Sequence, residues 1–109
     1  MEAISLTSKN GVPIAFHLEN VEENESFSTL SATILGAGEV IFSSFGKANP
    51  ELILGSSKDS ILLIQEVGAN AVLSILGDSD KKEEIKNDMN EIISEIEKFK
   101  DDSEMKEVL

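Results

Sequence analysis

The sequence predicts a small α/β (α+β) domain with the element order β-β-α-β-β-β-α. Three observations carry that expectation. Two alternating runs flank Asn10-Gly11, an apolar pattern spaced by three and four follows from Phe27 to Phe45, and three short apolar segments precede a second amphipathic stripe. A chain of 109 residues with 40% apolar content has room for one modest core.

The first run, Ala3 to Ser8, places Ile4 and Leu6 on one face and Ser5 and Thr7 on the other. After Asn10-Gly11, Val12, Ile14, Phe16 and Leu18 line one side of a second run. Asn-Gly between alternating runs predicts a two-residue hairpin with both central residues at positive φ. Pro13 has no N–H to give to a ladder, which suits an edge strand or a strand start.

From about Asn20 the period changes. Phe27, Leu30, Ile34, Ala37, Gly38, Ile41 and Phe45 share one helical face, and Leu35 and Phe42 widen it, so the helix is expected to be covered on more than one side. Asn20 with Glu23, or Asn24 one turn later, is the expected N-cap, with Glu22, Glu23 and Glu25 at the positive end of the helix dipole. Gly46 followed by Pro50 marks the stop.

Three strands follow, over 51–55, 60–67 and 70–77. The last two are apolar on both faces, as strands in mid-sheet between helices are. The second helix is expected to begin near Asp80, capped by Asp80 and Glu83, with Ile85, Met89, Ile92, Ile93, Ile96 and Phe99 as its apolar stripe. Beyond Phe99 the stripe loses register at Met105, Val108 and Leu109. Residues 1–100 are therefore read as the domain and 101–109 as a charged, frayed tail.

Composition narrows the function. The formal net charge is −12, from 21 acidic and nine basic residues, so nucleic acid and anionic membrane surfaces are poor partners. There is no cysteine, which removes disulfides, thiolate nucleophiles and zinc-thiolate sites. No basic-then-apolar leader and no long apolar run appears, so a soluble, cytoplasmic protein without membrane insertion is expected.

No catalytic, cofactor or metal site is expected. Gly36-Ala37-Gly38 lies inside a helical period and lacks the Gly-Lys-Ser/Thr of a phosphate loop. Asp78-Ser79-Asp80 begins like a calcium loop, but Glu83 and Met89 stand where glycine and a bidentate glutamate are required. His17 is the only histidine, read as a solvated strand residue. No nucleophile elbow surrounds any serine.

Several stretches carry a resemblance. Ser5-Leu6-Thr7-Ser8-Lys9-Asn10-Gly11-Val12-Pro13-Ile14-Ala15 resembles the first hairpin of Roadblock/dynein light-chain domains. Leu30 to Glu39 is similar to that family's small-residue-rich helix, and Ser60 to Ile64 with Asn70 to Leu76 to its paired late strands. The likeness spans about Ala3 to Phe99. Family members usually start with an amphipathic helix, whereas this sequence starts on the strand. Ala3, Ser5 and Thr7 with Ala15 and His17 are accordingly expected to form the small, polar face where that helix would pack.

The resemblance implies a profilin-like sandwich, with a five-stranded, mainly antiparallel sheet and helices on both faces. It also implies a homodimer formed edge to edge through the middle strand, with the first helix against its mate. Leu52, Ile53 and Leu54, an edge without proline or charge, and the small residues Gly36, Ala37 and Gly38, of which the two glycines are costly in a helix, are the expected dimer interface. For function it implies a non-enzymatic interaction module, a regulator or scaffold for a small Ras-like GTPase. With no arginine in the sequence, an arginine finger in trans is excluded. Two alternatives stay open: a small-molecule sensor with a groove beside Ser5, Thr7 and His17, and a structural subunit pairing with another Roadblock protein.

Overall fold

The computed structural model describes residues 3–18 and 24–102. Strands β1 (Ala3–Ser8) and β2 (Pro13–Leu18) form a hairpin, followed by helix α1 (Asn24–Ser44). Strands β3 (Leu52–Ser56), β4 (Ser60–Val67) and β5 (Ala71–Asp78) make a meander, and a 3-10 turn (Ser79–Lys81) leads into α2 (Lys82–Asp102). The sheet order is β2-β1-β5-β4-β3 with every pairing antiparallel. The mixed α/β class inferred from the sequence holds, with an antiparallel sheet and two helices.

The helices cover opposite faces, and the two layers differ in chemistry. Beneath α2, Leu63, Val67, Ala71, Leu73 and Ile75 pack with Leu6, Ile61, Ile85 and Met89, and Ile92, Ile93 and Ile96 close over them. Full burial of each large aliphatic side chain stabilises the fold by about 1.5–3 kcal/mol, so this layer holds the sheet. Beneath α1 the apolar cluster is only Leu35, Ile64 and Val72, flanked by Ile53 and Leu62. Hydroxyls fill the rest: Ser5, Thr7, Ser28, Ser31 and Ser74 are all buried.

That layer corrects the expected polar face. Ala3, Ser5 and Thr7 are buried, and Ser5 Oγ is 2.8 Å from Ser28 Oγ of α1, so α1 itself covers this side of β1. The strand register pairs Ala15 with Leu6 and His17 with Ile4, which separates them from Ser5 and Thr7. The surroundings of Ala15 and His17 lie outside the described residues, as does the solvated reading of His17.

Turns depart from expectation in two places. Gly11 takes φ +89°, but Asn10 does not have positive φ. Gly11 N–H donates to Ser8 O at 2.9 Å and Ser8 N–H to Val12 O at 2.9 Å. The loop is thus a turn over Ser8–Gly11 closed by a glycine bulge, a geometry that spares asparagine the left-handed region. At α2 the chain passes from Asp78 through the 3-10 turn, and Asp78 makes no side-chain cap. Asp80 lies within that turn, not at the N-cap, because β5 stays paired with Ser60 through Asp78 and Ser79 N–H is held by Asp59 O at 3.0 Å.

The end of α1 follows its sequence signal. Lys47 N–H donates to Phe42 O at 2.9 Å and Gly46 N–H to Ser43 O at 3.0 Å, with Gly46 at φ +70°, a Schellman stop. The expected cap pair Asn20 and Glu23 lies outside the described residues. At the other terminus α2 continues through Asp102, into the segment read as tail, and 103–109 lie outside the described residues.

Candidate functional site

The site is built on α1 and the β3 edge. α1 crosses the sheet from the β1–β2 turn, where Gly11 abuts Thr29, to β3, where Gly38 abuts Ile53 and Pro50. Its inward residues are Ser28, Ser31 and Leu35. Its large outward residues include Leu30, 60% exposed, Val40, 64%, and Ile41, 58%, and Phe45 in the turn just after the helix is 77% exposed. Ile34 and Phe42 are exposed as well. Together these side chains give α1 an apolar outer side among the described residues.

β3 adds a second component. It is the outermost strand beside β4, so one row of its backbone N–H and C=O groups is open for pairing. Leu52 and Leu54 are exposed. Leu54 is in register with Leu63, a residue of the α2-side cluster, so these two leucines lie on the sheet face opposite α1. The candidate surface therefore wraps the edge, with the α1 stripe on one side, open backbone at the rim and two leucines on the other.

The six residues singled out from the sequence divide accordingly. Gly36 has nothing within 4 Å of where a β-carbon would stand, and Ala37 is exposed. Leu52 and Leu54 flank the open edge. Gly38 and Ile53 instead meet each other inside the chain, and Ile53 belongs to the α1-side cluster. Leu30, Ile34, Ile41 and Phe45 were recognised as one helical face, yet that face points outward. Periodicity gives a stripe but not its direction. Val40 gave no signal of its own.

Charge enters at one corner. Lys9 Nζ is 2.7 Å from Glu66 Oε1 of β4 and 3.6 Å from Glu39 Oε2 of α1, tying the first turn to both layers. Its hydrogen bond to Glu66 raises the Lys9 pKa above the usual 10.5, against the smaller opposing effect of burial, with both glutamates adding attraction. No group of three or more metal-ligating side chains occurs among the described residues. No helix there is long and apolar enough to cross a membrane.

At Ser5 and Thr7 the groove expected beside Ser5, Thr7 and His17 is closed, since both are buried and Ser28 of α1 bonds Ser5. The surroundings of His17 lie outside the described residues.

No family model matches the chain, and no curated protein matches its sequence. Its shape does have counterparts among solved structures. A Roadblock/LC7 domain from Streptomyces avermitilis superposes with a TM-score of 0.82 over 90% of this chain and 83% of that one, at 13% identity. The fold is the Roadblock fold. MglB from Myxococcus xanthus shares it, with a TM-score of 0.72, 19% identity, and coverage of 89% of this chain and 84% of that one. So does an MglB in a tetrameric arrangement, at 0.65 and 18% identity, over 72% of this chain and 61% of that one. Identities this low concern the fold and not the partners. Within the Roadblock fold of this chain, the exposed α1 stripe and the β3 edge are the surface left to explain.

Proposed function

We propose that this chain is a non-enzymatic, dimeric protein-interaction module that regulates or scaffolds a small Ras-like GTPase. The observation that carries the first half is the outward stripe of α1 beside an open β3 edge. Two copies related by a twofold axis would pair β3 with β3, continue the sheet across the axis and bury the α1 stripes against each other. Gly36 and Ala37 then admit a close helix approach, and Leu52 and Leu54 are covered beneath the join. The tetrameric arrangement of an MglB with the same fold supports self-association.

The GTPase half rests on the resemblance of the hairpin, helix and late strands to Roadblock domains, whose microbial members are associated with small Ras-like GTPases. An acidic surface of net charge −12 suits basic protein patches. With no arginine to insert, this chain would act by repositioning the GTPase's own catalytic groups.

Sedimentation equilibrium tests the dimer, and single-turnover GTP hydrolysis by a candidate GTPase tests the regulation. A chain that stays monomeric at high micromolar concentration would sink the first half. For the second, each lysine is replaced singly. A variant that still binds the GTPase but loses all acceleration would show a lysine acting directly in catalysis, against repositioning.

A further inference from the structure

α1 turns its less apolar side to the sheet. Ser28, Ser31 and Leu35 face inward while Leu30, Val40 and Ile41 face solvent, as does Phe45 just past the helix end. A helix held on a sheet by apolar burial alone would be turned the other way, since burying large aliphatic and aromatic side chains is the stronger drive. Two contacts oppose that rotation. At one end Ser5 Oγ lies 2.8 Å from both Ser28 Oγ and Thr7 Oγ1, with all three side chains fully buried. At the other end Gly38 leaves room for Ile53 Cδ1, which would stand 2.6 Å from a β-carbon at that position. Rolling α1 about its axis would break the Ser5–Ser28 bond, the one of the two that reaches from β1 to α1. It would leave the Ser28 hydroxyl to find another partner and bring a larger residue onto Ile53, while Thr7 holds the Ser5 hydroxyl in place. Buried hydroxyls left without partners are costly, so the hydrogen bonds select the angle even where they add little net stability.

We propose that Ser5, Thr7 and Ser28 form a rotational key, which fixes α1 at one angle and so keeps its apolar stripe outward for a partner. These are positioning residues: they touch no partner and act through the orientation of Leu30, Ile41 and Phe45. The value of the key to function rests on reading that stripe as an interaction surface, whereas the rotation can be measured on its own.

The chain has no cysteine, so a single introduced thiol reports one position. Ser31→Cys, on the buried side of α1, is made in the parent and in a chain carrying Ser5→Ala, Thr7→Val and Ser28→Ala. With the key removed, thiol labelling at position 31 is expected to accelerate by at least about tenfold while the far-ultraviolet circular dichroism is kept. Self-association, followed by sedimentation, should weaken alongside. Labelling that stays slow in the folded triple variant overturns the key. Labelling that accelerates with association unchanged upholds the key and refutes the stripe as the dimer surface. If the triple variant does not fold, Ser28→Ala and Ser28→Thr are compared in the Ser31→Cys background. Faster labelling with alanine than with the hydroxyl-bearing threonine supports the key, and equal rates overturn it.

Discussion

Ile53 of β3 lies directly beneath Gly38 of α1, with its Cδ1 2.6 Å from the place a β-carbon on that glycine would take. Gly36, two residues earlier, has no neighbour within 4 Å of the equivalent place. The two glycines therefore stand in different surroundings, one packed inside the chain and one facing open space.

Substitution separates them. Gly38→Leu overfills the contact with Ile53 and Pro50 and should cost about 1–3 kcal/mol in denaturant unfolding. Gly36→Ala meets open space and removes a helix-disfavouring residue, so unfolding of the monomer should become harder by up to about 1 kcal/mol. In the proposed dimer the same methyl crowds the partner helix, and association should weaken. A Gly36→Ala chain that associates as tightly as the parent would place the close helix approach elsewhere.

Introducing a charge on β3 makes a second contrast. Ile53→Lys puts an ammonium into the α1-side cluster and should destabilise the fold by about 2 kcal/mol or more. Leu54 is 40% exposed at the rim, so Leu54→Lys should change monomer stability by no more than about 0.5 kcal/mol. It should nevertheless yield monomers by light scattering, since a lysine on an edge strand disfavours edge-to-edge pairing. A stable dimer of the Leu54→Lys chain would exclude β3 as the join.

Lys9 gives a pH dependence. Its pKa is raised in the folded chain, mainly through the Glu66 hydrogen bond, so its contribution is complete below the ordinary value of 10.5 and fades as pH climbs through the raised one. Lys9→Met should lower stability at neutral pH by up to about 1 kcal/mol, a partly exposed ion pair being worth no more. Unfolding midpoints of parent and variant should converge only at pH values above 10.5. Convergence already at neutral pH would mean the ion pair contributes nothing.

Ser74 lies in the middle of the hydroxyl layer, paired in register with Ser5, and its buried Oγ has no hydrogen-bond partner among the described residues. Ser74→Ala removes an unsatisfied polar atom and leaves a small gap. Thermal unfolding at an equal or higher midpoint is expected, with a gain of up to about 1 kcal/mol. A clear loss would show that this hydroxyl is satisfied in solution.

The order of elements was legible in the sequence because each is a local pattern. Alternation at Ser5 to Thr7, the three-and-four spacing from Leu30 to Phe45, and Gly46 before Pro50 each act within a few residues. What was not legible depends on distant partners. Whether Leu30 or Ser28 faces the sheet depends on contacts the local pattern does not contain, such as that of Ser28 with Ser5 of β1, more than 20 residues away in the chain. Asn10-Gly11 was misread because two turn geometries share that pair, and the pairing of β1 with β2 chose between them. The small residues 36–38 looked alike as text, yet only Gly38 has Ile53 beneath it.

The chain leaves β2 at one margin of the sheet and next enters it at β3, the opposite margin, with α1 as the intervening element. α1 is thus a strut across the full width of the sheet. Under the proposed pairing, a partner gripping α1 would load both margins together, and the far hairpin would be coupled to what binds at β3. Tension or immobilisation at one rim would reach the other along a single helix.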